Sequence, residues 1–262
     1  MCILSREILR RTFDEVADLY DRVRPGYSQA IVNDLIRLSG LGPGSRVLEI
    51  GCGTGQLTVP LAELGVSLVA VEIGAQLAAV ARRNLAAWPR AEVVVAAFED
   101  WPLPPEPFDL VVSATAFHWL DPAVRVQKAA AALRPGGTLA VIDTHHIAGG
   151  DEQFFIDSQA CYLRWDPKTR EGFRLPTLAQ IPKVREELDR SPLFETVRLL
   201  RYEWDETYAA EAYGDLLRTY SDVRLLGAAG ESLVDCIMEL IASRYGGQIT
   251  KRHLTELRLA LR

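Results

Sequence analysis

Three glycines follow a short apolar segment in VLEIGCGTG, at positions 47–55. Gly51, Gly53 and Gly55 carry no Cβ atom, so a ligand can lie against the backbone of this loop. A helix is predicted to begin directly after the loop, and the first N–H groups of a helix have no partner within it. The loop therefore predicts a site for a negatively charged group, such as a phosphate or the carboxylate of an amino-acid-like ligand.

Glu72 ends the second apolar segment and lies 21 residues after Gly51. In a doubly wound sheet, neighbouring strands one and two end at the same crevice. A carboxylate at that point can accept hydrogen bonds from both hydroxyls of a ribose. Together with the loop, Glu72 predicts a ligand that contains a nucleoside.

Two kinds of cofactor fit these features. A nicotinamide dinucleotide fingerprint has the spacing GxGxxG, whereas this chain has GxGxG followed by Gln56. The loop also lacks the glycine that makes room for a pyrophosphate. The spacing favours a nucleoside without a diphosphate, and a nicotinamide-dependent oxidoreductase stays open as the alternative. A non-catalytic cofactor-binding protein on the same fold is the other alternative.

Short apolar strands alternate with helical segments through the middle of the chain. This alternation predicts βαβ units and an α/β fold, a Rossmann-like doubly wound sheet. The predicted strands are 46–50, 68–71, 92–95, 108–113 and 138–142, and the helices between them are 56–64, 75–87 and 122–133.

The ends of the chain show other patterns. Residues 1–40 predict two helices, the second of them capped by Ser28. From Thr144 the alternation stops, and an aromatic-rich stretch without a strand pattern follows. Two further strands are predicted at 194–203 and 254–261, with helices between them.

Composition limits the class of partner. The chain has 262 residues, 48% of them hydrophobic, and a net charge of -6. No basic footprint for nucleic acid is visible, and no apolar run approaches the roughly 20 residues that span a bilayer. We therefore expect a small-molecule partner, neither nucleic acid nor membrane, and a monomer or homodimer.

The cysteines predict no covalent or metal framework. Cys2, Cys52, Cys161 and Cys236 are far apart and form no CxxC pair. The spacing argues against a zinc or other metal site and against disulfides. It is typical of a protein in the reducing cytoplasm.

Six segments form a more specific combination, namely FDEVADLYDRVRPGY, VLEIGCGTG, VAVEI, FEDWPL, FDLVVSATAFHWLD and LRPGGTLAVID. Together they resemble the class I S-adenosylmethionine-dependent methyltransferases, of the bacterial small-molecule type that includes trans-aconitate-like and quinone-biosynthesis-like enzymes. The resemblance covers nearly the whole chain and implies a seven-stranded sheet with an antiparallel last strand. It implies methyl transfer from S-adenosylmethionine to an O, N or C atom of a small molecule, with S-adenosylhomocysteine as product.

The resemblance also implies which residues contact the cofactor. Around its methionine part it places Glu49, Gly51, Cys52, Gly53, Ala114 and Thr115, and around the ribose and adenine it places Glu72, Ile73, Phe98 and Glu99. Tyr20 and Arg24 would close over the carboxylate end. Relatives commonly carry Asp where this chain has Ala97, so a backbone carbonyl or Glu99 must meet the adenine amino group here.

A division of the chain follows from the same resemblance. We expect a helical lid at 1–40, a cofactor-binding core at 41–143, a cap insertion at 144–190, and the last strands at 191–262 with a second cap insertion at 205–250. Aromatic residues in the insertions suit a planar or apolar acceptor.

Three histidines are the candidate catalytic bases. His118 follows the fourth predicted strand, and His145 and His146 follow the fifth, so all three fall at the crevice. An oxygen or nitrogen acceptor can require such a base, although His118-Trp119 is common in this family and equally fits a structural role. Adjacent residues of an extended chain point opposite ways, so at most one of His145 and His146 faces the acceptor.

Overall fold

The computed structural model describes residues 12–262, so the part of the predicted lid at 1–11 lies outside the described residues. The chain forms two compact units. The sheet unit comprises 25–143, 183–202 and 255–262. The helical unit comprises the described residues up to Arg24, together with 144–182 and 203–254.

Helices and strands alternate through the first half of the described chain and become more irregular after β5. In chain order they are α1 Ala17–Val23, α2 Gln29–Ser39, β1 Arg46–Ile50, α3 Thr58–Ala62, β2 Ser67–Glu72, α4 Ala75–Asn84, β3 Ala91–Val95, β4 Phe108–Ala114, α5 Arg125–Ala132, β5 Leu133–Gly150, α6 Glu152–Asp157, α7 Gln159–Trp165, α8 Glu186–Asp189, β6 Thr196–Ala209, α9 Ala210–Arg218, α10 Ser221–Arg224, α11 Ala228–Arg244 and β7 Gln248–Leu261. Short 3₁₀ turns occur at Phe117–Trp119 and Leu178–Gln180.

The strands form one seven-stranded sheet in the order β3-β2-β1-β4-β5-β7-β6. β1 runs parallel to both neighbours, with Leu48 opposite Val69 on β2 and Val111 on β4. β7 runs the other way. The Gly136 N–H donates to the Arg262 carbonyl, whereas the Asp151 N–H donates to the Thr250 carbonyl. The predicted α/β sheet with an antiparallel last strand is confirmed.

The core of the sheet unit lies on both faces of β1. Val47 belongs to one buried apolar cluster, and Leu48 and Ile50 belong to another, because successive side chains of a strand point to opposite faces. Burial on both faces explains why Val47, Leu48 and Ile50 are all apolar, and the buried acid Glu49 is the exception in this strand. At the edge of this core the Ser28 hydroxyl accepts the Ile31 N–H and caps α2, as the sequence predicts.

Three strands extend well beyond the bounds that the sequence indicates. β6 continues past the predicted end at 203 to Ala209, into the stretch expected to be a helical cap insertion. β5 continues past the predicted end at 142 to Gly150, so His145 and His146 lie within the strand and not after it. β7 begins at Gln248, six residues before the predicted start at 254, because its first half carries Thr250, Lys251 and Arg252 and shows no apolar alternation. β5 and β7 pair with each other although they are far apart in sequence, and this pairing extends both strands.

The expectation of no disulfide is wrong. Cys161 on α7 and Cys236 on α11 are 75 residues apart and form a disulfide, with their Cα atoms 5.9 Å apart. α7 and α11 pack against each other in the helical unit, a proximity that spacing along the chain does not reveal. The disulfide also removes the cysteine-based argument for a reducing compartment. Within residues 12–262, no helix has both the length and the apolar character to span a bilayer.

Candidate cofactor site

The glycine loop turns sharply at the end of β1. Gly51, Gly53 and Gly55 have φ angles of 71°, 58° and 104°, which side chains other than glycine rarely adopt. A Cβ atom at Gly51 would lie 2.5 Å from the Cβ of Ala116. The loop therefore needs glycine at this position both for its backbone conformation and for space.

The helix after the loop is shorter than predicted. α3 begins at Thr58 rather than at 56 and has five residues. The residues before it form turns, in which the Gly55 N–H donates to the Cys52 carbonyl at 3.0 Å. The Gln56 side chain donates to the Thr54 hydroxyl at 2.7 Å. Turns, and not the end of a long helix, thus shape the backbone beside the loop.

Glu72 holds the loop from the end of β2. Its carboxylate accepts the Gly53 N–H and the Gly74 N–H, both at 2.9 Å, and the residue is 5% exposed. The structure therefore brings the predicted acid and the predicted loop together. A carboxylate has about four lone-pair sites, so these two bonds leave acceptor capacity for ribose hydroxyls.

A second buried acid lies on β1. Glu49 is 1% exposed, and burial raises the pKa of its carboxyl to about 7, with the Glu72 carboxylate adding to the shift. Its Oε2 atom is buried without a hydrogen-bond partner in the part of the chain that the structure describes. An orphaned acceptor beside the loop fits the amino group of an amino-acid-like ligand.

Cys52 is buried inside the same loop. Burial raises the pKa of its thiol, and the charges of Glu72 and Glu49 act in the same direction. The thiol lies 3.7 Å from the Gly53 carbonyl oxygen. A protonated, buried thiol packs as a small apolar group and does not act as a nucleophile.

The end of β4 holds a strained residue. Within residues 12–262, Thr115 alone among the non-glycine residues has a positive φ, 52°. Its N–H donates to the Ile142 carbonyl at 2.7 Å, and its hydroxyl lies 3.1 Å from the hydroxyl of Tyr27. Strained backbone of this kind concentrates at functional sites. Sequence reasoning named Thr115 and the neighbouring Ala114, which is 7% exposed, but missed Tyr27.

The predicted adenine contacts lie after β2 and β3. Ile73 is half-buried next to Glu72. The Phe98 ring is 2% exposed in the apolar core, with the Lys128 ammonium 5.4 Å from its centroid. Glu99 accepts the Asp121 N–H at 3.1 Å. All three belong to the sheet unit, with the loop and Glu72.

Four of the predicted residues belong to the helical unit instead, namely Tyr20, Arg24, His145 and His146. The Arg24 guanidinium lies over the Tyr20 and Tyr220 rings, 5.0 and 4.6 Å from their centroids, and its Nε donates to the Thr219 hydroxyl at 2.9 Å. Their roles toward the cofactor stay predictions.

The histidines differ in environment. His118 is exposed in the sheet unit, with its ring 4.8 Å from that of Trp119. The His146 ring packs 4.4 Å from that of Phe155. Burial and the nearby Lys251 charge lower the pKa of His146 to about 2. His146 is therefore neutral at physiological pH and a weak base.

Comparison with known proteins agrees with this geometry. A family model described as a methyltransferase domain matches residues 47–137, which run from β1 through the glycine loop and β4. A relative from Mycobacterium tuberculosis, called an uncharacterized methyltransferase, is 35% identical over 138 residues, 53% of this chain and 54% of that protein. The chain thus matches about half the length of this curated relative.

Solved structures share the fold over more of the chain. YcgJ from Bacillus subtilis aligns with a TM-score of 0.56 and 16% identity, over 90% of this chain and 99% of that one. A methyltransferase from Geobacter sulfurreducens in complex with S-adenosylhomocysteine aligns with a TM-score of 0.50 and 14% identity, over 91% and 95%. The glycine loop lies at the start of the matched domain, and this chain belongs to the class I S-adenosylmethionine-dependent methyltransferase family.

Proposed function

We propose that this protein transfers a methyl group from S-adenosylmethionine to a small-molecule acceptor. The observation that carries the proposal is the bond from the Gly53 N–H to the Glu72 carboxylate, which joins the glycine loop to the acid at the end of β2. The orphaned Oε2 of Glu49 supports the same ligand, since it would accept from the amino group of the methionine part.

The cofactor supplies an activated methyl group on a sulfonium, so the chain's own task is binding and positioning. Glu72 would hold the ribose, with Ile73, Phe98 and Glu99 on the adenine side. Gly51, Cys52, Gly53, Ala114 and Thr115 would line the methionine side, and Tyr20 and Arg24 would close over its carboxylate. That closure would exclude water and would also keep donor and acceptor in reactive geometry.

The acceptor would be held by the insertions 144–190 and 205–250. We infer that it is a small molecule, with no role for nucleic acid or membrane, and that the protein acts as a monomer or homodimer.

A cytoplasmic location belongs to the same proposal. Thiol labelling of protein taken directly from cells tests it, since the Cys161–Cys236 pair should be reduced in a reducing cytosol.

Calorimetry with S-adenosylmethionine, S-adenosylhomocysteine and the nicotinamide dinucleotides tests the proposal. We expect binding of the first two and none of the dinucleotides. Binding of a dinucleotide with no response to S-adenosylhomocysteine would favour the oxidoreductase alternative. Cofactor binding with no methyl transfer to any member of a broad acceptor panel would favour a non-catalytic protein.

Substitution tests the candidate bases once an acceptor is known. If His145 or His146 acts as a base, its change to Gln should lower turnover about 100- to 10,000-fold and leave cofactor affinity unchanged. The weak basicity of His146 favours His145 of the two. His118→Gln should disturb cofactor binding or stability instead if His118 is structural. Normal turnover of both His145→Gln and His146→Gln would leave proximity as the main source of rate.

A further inference from the structure

The helical unit contains a partly open cavity of about 420 Å³. Every residue that lines it belongs to 144–182 or 203–254. Its apolar wall consists of aromatic and aliphatic side chains, chiefly Phe154, Phe155, Tyr162, Tyr213 and Ile237. A volume of this order is typical of small-molecule sites with apolar walls and a few polar groups.

One buried cation faces this cavity. Lys251 is 4% exposed, and its ammonium donates to the Tyr220 hydroxyl at 2.9 Å. No carboxylate in the described part of the chain forms an ion pair with Lys251, and a phenol oxygen neutralises no charge. A lysine ammonium has three donors, and a buried charge without a counter-ion is costly. An anionic group on a ligand would supply the missing counter-ion for the Lys251 ammonium.

The other polar groups of the wall do not compete for that role. Lys168, Arg170 and Asp222 are exposed, and Asp166 accepts hydrogen bonds from the Lys168 N–H and the Thr169 hydroxyl. His146 is neutral, since burial and the Lys251 charge lower its pKa to about 2. Among the buried residues of the wall, Lys251 therefore carries the single charge, and the half-buried Asp166 carboxylate already accepts two hydrogen bonds.

This charge pattern selects among ligand classes. A neutral ligand would leave the ammonium without a counter-ion, and a cationic ligand would be repelled by it. A phosphate dianion would bring a second negative charge that the buried wall does not match. A single carboxylate matches the charge, and an aromatic or aliphatic body matches the rest of the wall.

We propose that this cavity binds a small aromatic or aliphatic monocarboxylate, whose carboxylate pairs with the Lys251 ammonium and whose body packs against Phe154, Phe155 and Tyr162. The idea that such a monocarboxylate is the methyl acceptor rests on the proposed function. Binding of the monocarboxylate in the cavity does not depend on that function, so the test below uses no methyl donor.

Calorimetry on the full chain with three matched pairs tests the proposal. The probes are 2-naphthoate, cinnamate and octanoate, each compared with its neutral primary amide at neutral pH. We expect at least one acid to bind about tenfold or more tightly than its amide, as for a hydrogen bond to a charged group. No binding by any acid, or equal binding of acids and amides, would overturn the proposal.

Substitution of Lys251 tests whether the carboxylate binds at this residue. Lys251→Met keeps the length of the side chain and should abolish the preference for the acid, whereas Lys183→Met, at an exposed lysine of the sheet unit, should keep it. An acid preference that survives in Lys251→Met would refute the assignment. Thermal unfolding checks that this variant folds, and if it does not, the wild-type acid–amide comparison decides. If an acid binds in the cavity but is not methylated, the monocarboxylate is not the methyl acceptor, and the binding site itself still stands.

Discussion

The carboxylate of Glu72 accepts the backbone N–H of Gly53 at 2.9 Å, so the acid that ends β2 holds the loop that follows β1. The second carboxylate oxygen accepts the N–H of Gly74 before α4. Glu72 thus shapes the site before any ligand arrives. Its predicted contact with ribose and its bond to the loop must be separated experimentally.

Substitution of Glu72 separates these two contributions. Glu72→Gln keeps one acceptor oxygen, whereas Glu72→Ala removes both, so we expect Ala to lower both cofactor affinity and stability more than Gln does. The loss of a hydrogen bond to a charged group costs about 1.5–3 kcal/mol. Calorimetry with S-adenosylhomocysteine and thermal unfolding measure the two effects. Glu92→Gln, at an exposed acid on β3, is the control. Wild-type affinity in Glu72→Ala would contradict the ribose role.

The glycine loop offers a matched pair of substitutions. Gly51 and Gly65 have nearly the same φ, 71° and 73°, so alanine strains the backbone equally at both positions. A Cβ at Gly51 meets Ala116 at 2.5 Å, whereas one at Gly65 meets nothing within 4 Å. We expect Gly51→Ala to be about 1–3 kcal/mol less stable than Gly65→Ala by urea unfolding. Equal stability of the two variants would show that a Cβ atom at position 51 fits beside Ala116 without cost.

The pH dependence of stability tests the state of Glu49. Burial raises its pKa from 4.5 to about 7 in the folded protein, so the folded state binds a proton that the unfolded chain releases. The stability from that proton is present below about pH 4.5 and is lost as the pH rises to about 7, on the order of 3 kcal/mol in all. The stability of wild type relative to Glu49→Gln should fall across this window. Parallel curves would mean that Glu49 titrates normally.

The disulfide should stabilise the folded chain by restricting the unfolded one. Cys161 and Cys236 close a loop of 75 residues, and cross-links of this kind typically contribute about 2–4 kcal/mol. We expect reduction to lower the free energy of unfolding in urea by that amount. A variant with both Cys161→Ser and Cys236→Ser should unfold like the reduced protein and be unaffected by reductant. If reductant leaves the wild-type transition unchanged, the disulfide does not contribute.

The sequence alone predicted that β1, the glycine loop and Glu72 come together in the sheet unit, because their signals are local. β1, the turn glycines and Glu72 occupy one strand–loop–helix–strand stretch, in which apolar runs and residues without Cβ atoms specify the backbone directly. The motif residues around this stretch then indicated the family. The same local pattern placed β1 at the residues where the structure has it.

The tertiary structure alone decided whatever depends on distant parts of the chain. Pairing of β5 with β7 carries His145 and His146 into a strand, and packing of α7 on α11 joins Cys161 to Cys236. Lys251 is a charged residue in a polar run of the sequence, yet the structure buries it beside Tyr220. These features follow from contacts between segments tens of residues apart, and no pattern within a single segment encodes such contacts.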